Sequence, residues 1–163
     1  MEKILLLAAL YVSSGVEEHI TRNFCDASEC VTYTTVSEED DFSEYLLWYG
    51  IDSYEKFRIE IVEKYATRCR HDDLLIIIDD TFVPEHVSGT YTLLDTKDQE
   101  IMNADTLITV ESYKSASNFH RVFGHEFGHY IHDQYCLSVD QERFAKSVEG
   151  YFQGKDIDIK IIK

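Results

Sequence analysis

An α+β domain built on a small mixed sheet is the fold that the sequence predicts, and three observations predict it. Residues 74–78 (LLIII) are a short continuous apolar run followed by Asp79 and Asp80, the pattern of a strand buried on both faces. Residues 30–36 (CVTYTTV) are β-branched and aromatic, which suits a strand. From about residue 41 to 70, and again beyond 115, apolar residues recur at the helical spacing of three and four.

Taken in order, the chain opens with an apolar stretch at residues 4–12 (ILLLAALYV) that is too short to span a bilayer. It matches the apolar core of a signal peptide, with small residues at 13–15 suited to cleavage, although Glu2 cancels the charge of Lys3. A first buried strand or helix accounts for the same residues. Residues 1–15 are therefore a signal peptide or a first buried element, and residues 16–163 a single domain. The first reading implies secretion, the second a cytoplasmic protein. The acidic run at residues 38–41 reads as a solvated loop that begins a helix, since carboxylates favour helix N-termini.

Phe42, Tyr45, Leu46 and Tyr49, then Phe57, Ile61 and Tyr65, mark two helices with a break expected at residues 49–53, around Gly50. After the strand at 74–78, residues 89–94 and 106–110 read as two further strands joined by a polar segment at 95–105. A helix is expected over 115–133, with Ser115 or Ser117 as its cap. Another follows over 140–152, whose apolar face is Phe144, Val148, Tyr151 and Phe152. Ser138 and Gln141 resemble a capping box for it, and Gly154 a stop. Residues 157–161 alternate with period two, as an edge strand does.

Composition narrows the function. A total of 163 residues suits one core, and one proline with seven glycines provides no linker. Fifteen basic against 31 acidic residues give a formal charge of −16. That field repels phosphate backbones and anionic lipid, so no nucleic acid and no membrane span is expected. The four cysteines suit either two disulfides or a reduced chain, and the spacing of Cys25 and Cys30 is not a recognised zinc pairing.

One constellation carries chemistry. His125-Glu126-Phe127-Gly128-His129 has the form H-E-x-x-H inside a helical stretch. Positions i and i+4 lie one above the other on a helix, so the two imidazoles converge on one ion. Glu126, rotated by about 100° from His125, reaches the water beside that ion. The pattern arises by chance in about 3% of chains of this composition, so context has to support it. Phe119, Phe123, Phe127 and Tyr130 form an apolar stripe off which both histidines lie. Gly124 and Gly128, poor helix formers, suit a close approach by another element.

Two histidines leave a zinc site incomplete. Glu142 and Glu149 share one face of the following helix, with Ala145 between them, and either can reach back. His132, at i+3 from His129, lies near the same face and reads as an outer partner more readily than as a ligand.

Residues 123–129 (FGHEFGH), followed by Glu142-x-Phe144-Ala145, resemble the catalytic domain of zinc peptidases of the anthrax lethal factor type, a gluzincin group that includes the small secreted Pro-Pro endopeptidases of clostridia. Val87-Ser88-Gly89-Thr90-Tyr91 and the strand at 106–110 precede the helix as they do in that family, and the resemblance covers roughly residues 74–152. It implies a zincin-like fold, a zinc metallopeptidase activity on a peptide or protein substrate, and Zn²⁺ as cofactor. It implies His125 and His129 as ligands, Glu142 as the third in preference to Glu149, and Tyr135 as the group that stabilises the oxyanion; apart from the resemblance, Tyr130 and Tyr151 are lesser candidates for the proton donor. Two features depart from the family: His132 stands where an acidic residue is common, and the segment between His129 and Glu142 is shorter than in lethal factor itself.

The expected mechanism is metal-assisted hydrolysis with Glu126 as general base. The strand around Ile108 is expected to pair with an extended substrate. The alternatives are a zincin-like module that has lost catalysis and acts through protein contacts, and a regulatory peptidase of the type that cleaves phage repressors. The latter group usually carries a further histidine four residues past the second ligand, where this chain has Asp133.

Overall fold

A computed structural model describes residues 18–25, 29–38 and 41–163. The two readings of residues 1–15 lie outside the described residues. Among those described, the chain is mixed α+β, with one five-stranded sheet and four α-helices. No helix among them is long and apolar enough to cross a membrane. The chain divides into two compact units, each made of two stretches: residues 1–44 with 72–112, and residues 45–71 with 113–163.

The first unit carries the sheet. Strands β1 (Glu18–Cys25) and β2 (Cys30–Ser37) pair antiparallel. A disulfide joins Cys25 to Cys30, which face each other across the ladder. Strands β3 (Leu74–Ile78), β4 (Gly89–Leu93) and β5 (Thr106–Val110) complete the order β1-β2-β3-β5-β4. β3 lies between two parallel neighbours and is buried along its whole length, which is why it reads as unbroken apolar sequence.

β1 has no counterpart among the strands expected from sequence. Its residues EHITRNFC lack a sustained apolar alternation, and its position at the sheet edge explains why. The expected pairing of β5 with a substrate strand is not available. β5 is bonded to β3 on one side and β4 on the other, so no edge at Ile108 is open.

The polar segment expected between β4 and β5 holds a helix, α2 (Thr96–Met102) in this unit. Asp95 caps it by accepting from the Asp98 amide at 2.9 Å, and Asn103 ends it with φ of 52°. Met102 is its one buried residue, so no helical periodicity shows in the sequence. Met102 joins Val36, Leu75, Ile77, Phe82, Leu94 and Leu107 in one core cluster. Asp41, last of the acidic run, accepts from the Ser43 amide at 2.7 Å where the next helix begins.

That helix, α1 (Phe42–Lys56), runs from the end of the first stretch into the second unit and passes straight through residues 49–53. Gly50 does not break it. A Cβ there would lie 2.9 Å from Cε1 of His120, so the glycine makes room for a close neighbour. The helix continues directly into a π-turn (Phe57–Val62) closed by the Glu63 amide on the Arg58 carbonyl at 3.0 Å.

The rest of the second unit is two packed helices, α3 (Ala116–Gln134) and α4 (Gln141–Tyr151). Ser115 caps α3, and Phe119, Phe123, Phe127 and Tyr130 are fully buried as its stripe. α4 is capped by Asp140, which accepts from the Arg143 amide at 3.0 Å, and not by the expected box of Ser138 and Gln141. The carboxylate directly ahead of the first helical residue reaches that amide first. Gly154 follows the helix end with φ of +88°. The expected edge strand at 157–161 is instead a 3-10 turn (Ile159–Ile161), because the Asp158 side chain accepts from the Lys160 amide. A second disulfide, Cys69–Cys136, ties the segment after the π-turn to the end of α3. The two disulfides between them take up all four cysteines.

Candidate metal centre

The site is built entirely from the second unit. His125 and His129 project one turn apart from α3, on the side away from its buried aromatic stripe. Their side chains are 17% and 14% exposed, so both rings are largely sheltered but open at one edge. Glu142 stands in the first turn of α4. Its Oε1 lies 2.8 Å from Nε2 of His125 and its Oε2 lies 3.1 Å from Nε2 of His129. The three ligand atoms all fall within 4.8 Å of one another.

What brings Glu142 there is the close packing of α3 on α4. A Cβ on Gly128 would meet the Ala145 backbone at 2.8 Å, closer than real contacts allow. Glycine on one helix and alanine on the other let the two backbones approach, and the carboxylate three residues before Ala145 spans the remaining gap. The glycine therefore costs about 1 kcal/mol of helix propensity for a contact that any side chain would prevent.

The donor set fits zinc. Two imidazole nitrogens and one carboxylate are a usual combination, with bonds of about 2.0–2.2 Å that set tetrahedral edges of about 3.4 Å. The two separations, 2.8 and 3.1 Å, are shorter than that edge by about 0.6 and 0.3 Å. The electrostatics point the same way. Burial, then the charges of Glu142 and Glu149, pushes the Glu126 carboxyl up to about 7. Burial and the neighbouring His125 hold His129 below the ordinary imidazole range, leaving it neutral with a lone pair to give. Three carboxylates thus gather around two imidazoles. Among the described residues none of the three pairs with a lysine or arginine.

Glu149, two turns along α4 from Glu142, places its Oε1 3.2 Å from Nδ1 of His125, on the far side of the ring from Glu142. His132, near enough to His129 to act on its pKa, is bonded to the connection between the helices. Its Nε2 donates to the Val139 carbonyl at 2.7 Å and so pins the connection between the helices.

Tyr135, expected to stabilise an oxyanion, has its hydroxyl bonded to Arg58 and Glu63. It forms the C-cap of α3 and is 3% exposed. Its hydroxyl donates to Glu63 Oε1 at 2.6 Å and accepts from Nη1 of Arg58 at 3.2 Å. Arg58, itself buried, is also bidentate to Glu55. Burial, followed by the bond to Glu63, raises the phenol's pKa above its ordinary value. This hydroxyl is a structural tie between the π-turn and α3. Its partners lie 77 and 72 residues away in sequence, and only the Glu55–Arg58 spacing on one helix face gave a local sign of the network. Of the lesser candidates, Tyr130 is fully buried and the Tyr151 ring packs on Phe57 at 4.9 Å.

Comparison with known protein families, characterised proteins and solved structures finds no match to this chain.

Proposed function

We propose that the chain is a zinc-dependent metalloendopeptidase, of the kind its H-E-x-x-H segment and E-x-F-A segment resemble. The observation that carries this reading is the convergence of Nε2 of His125, Nε2 of His129 and the Glu142 carboxylate, with buried Glu126 next to His125 in the chain. His125, His129 and Glu142 would hold the ion. Zinc, when bound, supplies Lewis acidity toward the scissile carbonyl and lowers the pKa of a water in its open position.

The chain's own part is proton handling. Glu126 takes a proton from the attacking water and later gives it to the leaving amine. A carboxyl poised near neutrality suits a group that must both accept and release a proton. A nearby dication favours the ionised form, so the loaded site starts with Glu126 ready as a base. The Tyr135 hydroxyl is committed to Arg58 and Glu63, so oxyanion stabilisation would not come from it.

The deciding experiment is digestion of a peptide library by purified, disulfide-intact protein with zinc, beside the Glu126→Gln variant. Cleavage by the first and none by the second supports the reading and reports specificity. Zinc binding without cleavage by either leaves the catalytically inactive module as the correct description.

A further inference from the structure

We propose that Glu149 is a positioning residue for His125, selecting the imidazole tautomer that presents Nε2 to the metal. This deepens the metal-centre reading and rests on it. Nδ1 of His125 is shut off from solvent and makes no well-aligned hydrogen bond. The Glu149 carboxylate lies 3.2 Å from it, close enough for an ion pair but off the axis that a hydrogen bond needs.

The consequence follows from imidazole chemistry. A neutral ring carries one proton, and the nitrogen without it is the ligand. A carboxylate beside Nδ1 favours the proton there and leaves the lone pair on Nε2, which already faces Glu142 at 2.8 Å. One helix therefore addresses both nitrogens of one ring. Glu142 and Glu149 are seven residues apart, about 10 Å along the α4 axis, and their side chains lean in from either end. Small Ala145 lies between them and is fully buried. Helix stability gives no reason for this placement: Glu149 sits in the last turn of α4, which has no basic residue, and a carboxylate there opposes the helix dipole. Its use is to the histidine.

The test is zinc affinity, measured by chelator competition on the full chain with both disulfides intact, for wild type, Glu149→Ala, Glu149→Gln and Glu142→Ala. Circular dichroism of each zinc-free variant verifies the fold. Glu149→Ala should bind zinc about 10- to 100-fold more weakly, the usual cost of losing a partner of a ligand histidine. Glu149→Gln, which keeps an acceptor oxygen, should recover most of that loss, and Glu142→Ala should lose more than either. In the zinc-loaded wild type, the His125 Nδ1 proton should appear as a slowly exchanging resonance, and it should vanish in Glu149→Ala. Wild-type affinity in a folded Glu149→Ala variant would overturn the positioning role while leaving the metal centre intact. A loss equal to that of Glu142→Ala would make Glu149 a ligand and overturn it also. Failure of the wild type to bind zinc at all would overturn both readings together.

Discussion

Glu126 should destabilise the zinc-free protein at neutral and alkaline pH, and replacing it should show by how much. Its carboxyl is raised from 4.5 to about 7, chiefly by burial and then by Glu142 and Glu149. Below pH 4.5 the group is protonated in folded and unfolded chains alike and contributes nothing. Between 4.5 and 7 the unfolded chain ionises while the folded one holds its proton, so stability falls steadily as pH rises. Above 7 the full difference applies. A shift of about 2.5 units corresponds to about 3 kcal/mol, and with the residue only 8% exposed little is lost to solvent screening. Relaxation of the site makes this an upper figure.

Glu126→Gln carries the same shape without the titration. Relative to wild type, the variant should therefore gain about 2–3 kcal/mol between pH 4.5 and pH 8. Denaturant unfolding of chelator-treated, disulfide-intact protein at the two pH values measures it, and comparing the pair at each pH cancels the titration of groups common to both. Adding zinc should erase or reverse the gain, since a cation stabilises the carboxylate and not the amide. An equal stability difference at both pH values would refute the argument that Glu126 is held protonated by burial and by its acidic neighbours.

Three further outcomes are expected. Purified protein should hold about one zinc per chain, and free zinc at 100 times its dissociation constant should stabilise the fold by about 2.7 kcal/mol over the chelated form; elemental analysis and thermal unfolding check this. Tyr135→Phe should cost about 1–3 kcal/mol of stability by leaving Glu63 and Arg58 a partner short. Its zinc affinity and kcat should be unchanged, whereas loss of an oxyanion donor would lower kcat by about 100- to 1,000-fold. Gly128→Ala should push α4 away at Ala145, costing about 1–3 kcal/mol and weakening zinc binding in the same titration, because Glu142 moves with α4.

Much of the site was legible because its chemistry is local. His125, Glu126 and His129 lie on one helix, so a spacing of four residues already sets which side chains share a face. The same holds for β2, β3 and β5, whose β-branched or continuous apolar runs report burial directly. The fully buried stripe of Phe119, Phe123, Phe127 and Tyr130 likewise followed from helical period alone. Short elements stabilised by a cap or an edge, such as β1, α2 and the 3-10 turn at Ile159–Ile161, left too few periodic residues to be read.

Tertiary structure decided what depends on distance between elements. Glu142 and Glu149 are equivalent by helical spacing. Only the glycine-to-alanine contact between α3 and α4 determines that one carboxylate meets both Nε2 atoms while the other meets Nδ1. Sequence likewise cannot show that Tyr135 spends its hydroxyl on Arg58 and Glu63, far back in the chain, or that β5 is enclosed by β3 and β4 and has no free edge. The physical reason is common to all three. Side-chain periodicity encodes which way a residue points along its own element, whereas the partner it finds is set by how closely the backbones pack, and that closeness is a property of the folded chain.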